Sequence, residues 1–335
     1  MSQPLTNVPI LFVVFKRPDT TRQVFESIRQ VRPARLYVAA DGPRPGRPGE
    51  HAACMQVRQI ATQVDWPCEV RTLFREANLG SRGAVSTAID WFFTQEESGL
   101  ILEDDCVPSS SFFPFCEELL ARYRDEPRVM MISGNNFQEG RCVGSASYYF
   151  SKYSHTWGWA TWRRAWKLFD AQMAGWPAFR TSGKLQAFAD GNRYFEPFWR
   201  HVFDATQSGH IVAWDYVWLL TCWMHDGLTC IPGRNLVKNI GFGAGATHTS
   251  DPSTWLAGIP LETVDFPLRH PDGYQRAVAA DARADLRVFR ISAIRMMLRK
   301  LVARFPRLYR LGYRLRGVRL PSDGATQRPI VSQSK

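Results

Sequence analysis

Cysteine is sparse in this chain, and no two are spaced to work together. The seven residues, Cys54, Cys68, Cys106, Cys116, Cys142, Cys222 and Cys230, never form a Cys-x-x-Cys pair. That excludes a zinc ribbon and a dithiol redox site. An odd count in a long chain fits a reducing compartment. Long apolar runs are also missing: none approaches the ~18 residues of a membrane span. Met1 to Asn7 is polar and has no basic stretch leading into an apolar one, so no signal peptide is expected. Neither Gly-x-Gly-x-x-Gly nor Gly-x-x-x-x-Gly-Lys-Ser/Thr follows the first apolar segment, which excludes a dinucleotide fingerprint and a P-loop. Acid is nearly absent from the C-terminal fifty residues. Residues 286–335 carry 13 Lys and Arg against Asp323 alone, a local balance of +12. The totals of 42 bases and 31 acids therefore leave 29 and 30 in the other 285 residues, a body close to neutral. A basic tail of this kind suits an anionic partner surface.

What is present centres on Leu100-Ile101-Leu102-Glu103-Asp104-Asp105-Cys106-Val107-Pro108. The apolar run after Gly99 reads as a buried strand. Three carboxylates at the end of a buried strand are costly without a cation beside them. The carboxyl ends of strands in open α/β sheets are also where ligands bind. The stretch therefore points to a divalent metal with a phosphate-bearing ligand beyond it. A solvated acidic turn is the plain alternative.

The chain around it supports that placement. Val8–Phe15, Leu36–Ala40, Glu69–Phe74, Leu100–Leu102 and Val129–Ile132 read as strands. Helices are expected after Asp19, over 50–64, from Ser81 to Gln95 and from Phe112 to Tyr123. Alternating strands and helices predict a mostly parallel sheet covered on both faces. Lys16 and Arg17, Asp41, Asn78 and the three acids all fall at strand ends, on one expected edge. With no phosphate loop, a metal together with Lys16 or Arg17 would have to neutralise phosphate. Each of these residues also fits an ordinary turn.

The second half is rich in tryptophan. Trp159, Trp162 and Trp166 stand at helical spacing, which predicts a helix packed into the core. Trp157 and Trp159, flanking Gly158 at the expected helix entrance, are candidates to line a site, since flat apolar faces suit sugar rings. Asp215 follows the apolar run Ile211–Trp214 and precedes a buried helix from Tyr216 to Met224, so it is a candidate base as well as a cap. The Gly241–Ala246 segment is glycine-rich, with His248 beyond it, like a lid loop or a plain flexible one. From Ile291 the apolar residues Ile294, Leu298, Leu301 and Phe305 oppose Arg295, Arg299, Lys300 and Arg304. Such a basic amphipathic helix can lie on a membrane or pack on the body.

Val8–Phe15, Asp41, Asn78-Leu79-Gly80 and above all Ile101-Leu102-Glu103-Asp104-Asp105 resemble the nucleotide-sugar half of glycosyltransferases with the GT-A fold. The nearest likeness is to the N-acetylglucosaminyltransferase I type, in a wider set that includes bacterial transferases of surface-polysaccharide assembly. It runs in order through Phe112-Phe113, Gly158-Trp159, Trp214-Asp215 and the His248 loop, over roughly residues 8–250. The resemblance implies an α/β GT-A fold, a catalytic domain over 1–284 with a Rossmann-like half over 8–136 and a mixed acceptor half over 137–284. Beyond it, outside the likeness, the charge pattern predicts a basic helical tail over 285–320 and the composition disorder over 321–335. The resemblance also implies an inverting transferase moving a sugar from a UDP-sugar to a glycan or lipid-linked acceptor. Asp105 would bind Mn2+ (or Mg2+), Glu103 and Asp104 would contact ribose and donor sugar, Asp41 and Arg17 would lie near the nucleotide, and Asp215 would be the base. Asn78 and His248 would also contact the donor. The family has two adjacent acids where this chain has Asp215-Tyr216; if the second is the base, Asp204 or Asp226 would have to serve. The implied setting is cytoplasmic, peripheral to the inner membrane face through the tail, with no nucleic-acid partner. A nucleotidyltransferase of sugar activation, or a nucleotide-sugar-binding scaffold with weak turnover, is the alternative.

Overall fold

The structure, a computed structural model, describes residues 6–242 and 254–292. Strands β1 (Ile10–Val14), β2 (Arg35–Ala40), β3 (Glu69–Phe74) and β4 (Ser98–Glu103) alternate with helices α1 (Pro18–Val31), α2 (Glu50–Ala61) and α3 (Gly80–Gln95). There follow β5 (Cys106–Pro108), α4 (Phe112–Arg122), β6 (Val129–Ser133), β7 (Tyr148–Ser151), β8 (Trp159–Trp162) and α5 (Arg163–Trp166). The short α6 (Trp176–Thr181) and α7 (Lys184–Ala187) lead to α8 (Phe195–Gln207), α9 (Asp215–Met224), β9 (Leu228–Pro232), β10 (Val237–Asn239) and α10 (Val278–Arg287). Among the described residues no helix is long and apolar enough to cross a membrane.

The fold is α/β. Eight strands form one sheet in the order β3-β2-β1-β4-β8-β6-β9-β7, and β5 pairs with β10 in a small ribbon. The β3-β2-β1-β4 half is parallel, with Phe12 opposite both Val38 and Leu102. The other half is mixed: β8 runs antiparallel to both β4 and β6, and β7 antiparallel to β9.

Strand alternation sorts the core. Ile10, Phe12 and Val14 pack on one face with α1, α2 and α4, whereas Leu11 and Val13 pack on the other with α3. A strand buried on both faces reads as a continuous apolar run, and so does this one. A third cluster, rich in aromatics, lies under α6 to α9 and the start of the segment after α10.

One sequence expectation is corrected by the sheet. Trp159 to Trp162 is a central strand, and a helix begins only at Arg163. Trp159 faces the α3 and α9 side, whereas Trp162 faces the α4 side and donates its indole N–H to the Leu120 carbonyl at 3.1 Å. Four consecutive buried residues satisfy both periods equally well, and sheet pairing on both edges decides between them. Helix α10 runs through residue 285 and its buried face continues the body: Asp281, Ala284, Asp285 and then Ile291 are all inside. The expected amphipathic tail from 293 onward lies outside the described residues.

Candidate active site

Parallel strands β1, β2 and β4 end on one edge of the sheet, and the residues after them open onto a cleft of about 820 Å³. Arg17, Asp41, Asn78, Glu103, Asp104, Asp105, Trp157 and Asp215 all line it. His248 lies outside the described residues.

The alternation of β4 explains the acids. Leu100 and Leu102 enter the core on the α4 side and Ile101 enters it on the α3 and α9 side. Glu103 shares the parity of Ile101 and so faces α9. Asp104 is buried, accepts the Phe15 backbone N–H at 3.2 Å, and pairs closely with Arg17. Arg17 also reaches Asp105, its Nη1 lying 2.9 Å from Oδ2. The Asp105 carbonyl accepts Ile240 N–H at 2.8 Å, so the β10 end is tied to the acidic turn. Gly241 comes next. A Cβ there would overlap the Asp105 carboxylate and stand 2.7 Å from Arg17 Nη1. The backbone passes that close only because glycine has no side chain.

Two carboxylates, Asp104 and Asp105, thus share one guanidinium, and Glu103 precedes them on the same strand end. Burial pushes the Glu103 carboxyl up to about 8, with the Asp105 and Asp104 charges adding to it, Arg17 opposing and Asp215 contributing. Burial likewise raises Asp104 to about 6, with Arg17 opposing and Asp105 adding. Burial works against the Arg17 charge, yet Asp104 and Asp105 hold its proton more tightly than usual. A carboxyl held protonated near neutrality, as Glu103 is, marks a buried site short of positive charge. Among the described residues no three His, Cys, Asp or Glu side chains converge as a protein-only metal cage. A cation here would have to complete its shell from a bound ligand, the usual way Mg2+ sits between one or two carboxylates and substrate phosphates.

The other strand-end residues are more occupied. Asp41 accepts the backbone N–H groups of Leu79 at 3.0 Å and Gly80 at 3.2 Å, and the Asn78 amide at 2.8 Å. It is a cap, supplied from β2, for the first turn of α3, whose own N-cap Leu79 has no side chain able to do this. Asn78 also donates to the Gly42 carbonyl at 2.9 Å. Lys16 and Arg44 converge on buried Glu50, with Lys16 Nζ 2.7 Å from Oε2, and the Arg44 hydrogen bonds hold that carboxyl well below its ordinary range. The two cations draped over Glu50 leave a positively charged rim beside β1.

Asp215 stands in the first turn of α9 on the opposite wall, with Tyr216 beside it. Of the two substitutes, Asp204 bonds Trp176 Nε1 at 2.9 Å and Arg180 at 3.1 Å, and Asp226 lies 3.6 Å from Lys184 beyond the other end of α9; neither lines the cleft. Trp157 lines the cleft. Trp159 does not: it is 0% exposed, 5.7 Å from Trp214 in a stacked pair and packed on Trp166 and Trp218. Its place inside β8 puts it in the core.

Several other residues line the cleft. Arg75 follows β3 just as Asn78 does, and the strand-end rule that selects Asn78 selects it too. Phe137 and His155 come just after the ends of β6 and β7. Trp255, Phe289 and Arg290 arrive from the far end of the chain, and no local pattern marks them.

No protein-family model and no curated protein matches this chain. Among solved structures, it is similar to that titled "Crystal structure of HddC from Yersinia pseudotuberculosis", at 8% identity and a TM-score of 0.30, over 47% of this chain and 77% of that one. A likeness this loose identifies neither a family nor an activity.

Proposed function

We propose that this chain is an inverting, divalent-metal-dependent glycosyltransferase of GT-A type that moves a sugar from a UDP-sugar to a hydroxyl of a glycan or lipid-linked acceptor. The supporting observation is the group of three carboxylates at the carboxyl end of β4, Glu103, Asp104 and Asp105, the last two paired with Arg17, in a cleft that Asp215 also lines. The excess of acid suits Mn2+ or Mg2+ held by Asp105, with the donor diphosphate completing the shell. When bound, such an ion supplies Lewis-acid neutralisation of charge on a departing diphosphate.

The chain's own residues do the rest. Arg17, fixed between Asp104 and Asp105, presents a guanidinium where the diphosphate would lie, and Lys16 and Arg44 add charge along the β1 rim. Asp41 and Asn78 hold the turn before α3 in shape, so that its edge can receive the nucleotide. Asp215 accepts the acceptor hydroxyl proton as the new oxygen–C1 bond forms and the C1–phosphate bond breaks, the electron pair leaving on the phosphate. One base and no covalent nucleophile give a single displacement with inversion, by analogy with one-step glycosidases. The same proposal sets the acceptor at a membrane face, reached through the basic segment 286–335.

The test is UDP release from UDP-sugars, with Mn2+ and with chelator. Asp105→Ala should abolish metal-dependent turnover. Asp215→Asn should lower kcat by 100-fold or more, on the order expected for losing a general base, while UDP binding persists. Full activity in Asp105→Ala, or pyrophosphate release from a nucleoside triphosphate in place of UDP release, would overturn the reading.

A further inference from the structure

From the acidic turn a line of aromatic rings crosses to the Asp215 wall. Gly241 abuts Asp105, and the next ring, Phe242, meets Trp157 edge-on at 5.8 Å. Trp157 meets Phe137 at 5.2 Å, and Phe137 meets Trp255 at 6.3 Å. At the far side Phe289 packs on Trp199 at 4.9 Å, and Trp199 on Tyr216 at 6.0 Å, beside Asp215. These rings, Trp199 apart, line the cleft, and Trp157, Trp255 and Phe289 keep part of their surface open to it. Open aromatic faces between the proposed donor and base positions suit the apolar face of a sugar ring.

Arg290 ends the wall. In the cleft, Lys16, Arg17 and Arg44 are each ion-paired to Glu50, Asp104 or Asp105. Arg290 has no ion pair or hydrogen bond to any side chain among the described residues. Its backbone position is nevertheless held firmly. Asp281 and Asp285 of α10 anchor to the wholly buried Lys152 region: Lys152 Nζ lies 3.5 Å from Asp285, Arg276 2.9 Å from Asp281, and Tyr153 bonds Asp285. The chain then turns back on itself, with Ile291 N–H bonding the Asp285 carbonyl at 2.7 Å. An arginine on a firmly held backbone, lining the same cleft as these rings and with no acid paired to it among the described residues, matches an anion on the bound sugar.

We infer that this wall is the acceptor subsite and that it takes a pyranose carrying an anionic group, a carboxylate or a phosphate, with the ring against Trp157 and Trp255 and the anion on Arg290. This rests on the transferase reading and adds the acceptor's chemical class.

The experiment is an array of neutral, uronic-acid and phosphorylated glycans, probed with the full chain in the presence of UDP and Mn2+. Signal should concentrate on anionic glycans, fall at least five-fold for R290Q and be lost for W255A. The uronic-acid and phosphate arms tell which anion is read. Thermal shift by UDP and Mn2+, run in parallel, should be the same in both variants and in the unsubstituted chain, which shows that they are folded and keep the donor side. Signal on neutral glycans that R290Q leaves unchanged, or no glycan signal from a chain that binds UDP, overturns the acceptor inference alone. Absence of any UDP and Mn2+ shift overturns the donor reading instead.

Discussion

At the scale of single residues, opposed ionisations make the site testable without substrate. Glu103 in the folded chain holds its proton up to about 8 and Asp104 up to about 6, both above their ordinary values of 4.5 and 3.8. Between those limits the native state binds more protons than the unfolded one, so these two groups make the metal-free protein more stable as pH falls from above 8 towards 4.5. His155 acts the other way. Burial lowers it from 6.5 to about 3, so the unfolded chain takes up a proton that the native chain refuses, and stability is lost as pH falls through that window. Unfolding temperatures at pH 8.5 and 5.5 should therefore show a gain on acidification that Glu103→Gln shrinks and His155→Phe enlarges; the reverse order would refute the assignment. His155→Phe is chosen because the ring already packs among Phe137, Tyr153 and Phe289. Gly241 offers a steric probe of the same cluster. Gly241→Ala should displace the Asp105–Arg17 pair, cost about 1–3 kcal/mol as overpacking does, and remove metal-dependent UDP binding. An alanine variant that binds UDP and Mn2+ normally would show that the pair's geometry is immaterial.

At the scale of elements, legibility tracks how locally each one is specified. Strands β1 to β4 and β6, and helices α2, α3 and α4, lie within a few residues of their expected bounds, because double-sided burial writes an unbroken apolar run and single-sided burial a 3.6-residue period. The acids could be read for a similar reason, as charge ending an apolar run. β8 could not: its Trp-Ala-Thr-Trp satisfies a helix as well as a strand, and only pairing with β4 and β6 decides. β5 is three residues long and exists because β10 pairs with it, from more than 120 positions away. Asp41 shows the same limit within the site. Its strand-end place was visible, but its use as a cap for α3 depends on a tertiary contact. Asp41→Ala should thus act first through that helix, orphaning the Leu79 and Gly80 N–H groups at about 1–3 kcal/mol, read by urea unfolding. Asp41→Asn, which keeps an acceptor oxygen, should recover much of the loss. Equal destabilisation by the two would argue that charge, not capping, is what the site needs.

At the scale of the whole molecule, the net charge of +11 joins two unlike parts: a body with 29 bases and 30 acids, and a segment from 286 carrying +12. The body's fold brings the start of that segment to the cleft, since Val288, Phe289 and Arg290 line it and Ile291 is buried behind it. A surface that attracts the segment would therefore be brought to the cleft wall proposed above as the acceptor side, where a lipid-linked acceptor of that proposal would be presented. Each Lys or Arg near an anionic bilayer contributes about 1 kcal/mol, and the attraction is screened beyond a Debye length of ~10 Å at 0.1 M salt. The full chain should then sediment with anionic vesicles at low salt, remain in solution with zwitterionic ones, and be released as salt rises. Replacing Arg295, Arg299, Lys300, Arg304 and Arg307 together by Gln should abolish sedimentation, while UDP binding and unfolding temperature stay where they are. Vesicle binding that ignores both lipid charge and salt would assign the segment to another role, and a matching fall in unfolding temperature would mean that it packs on the body instead.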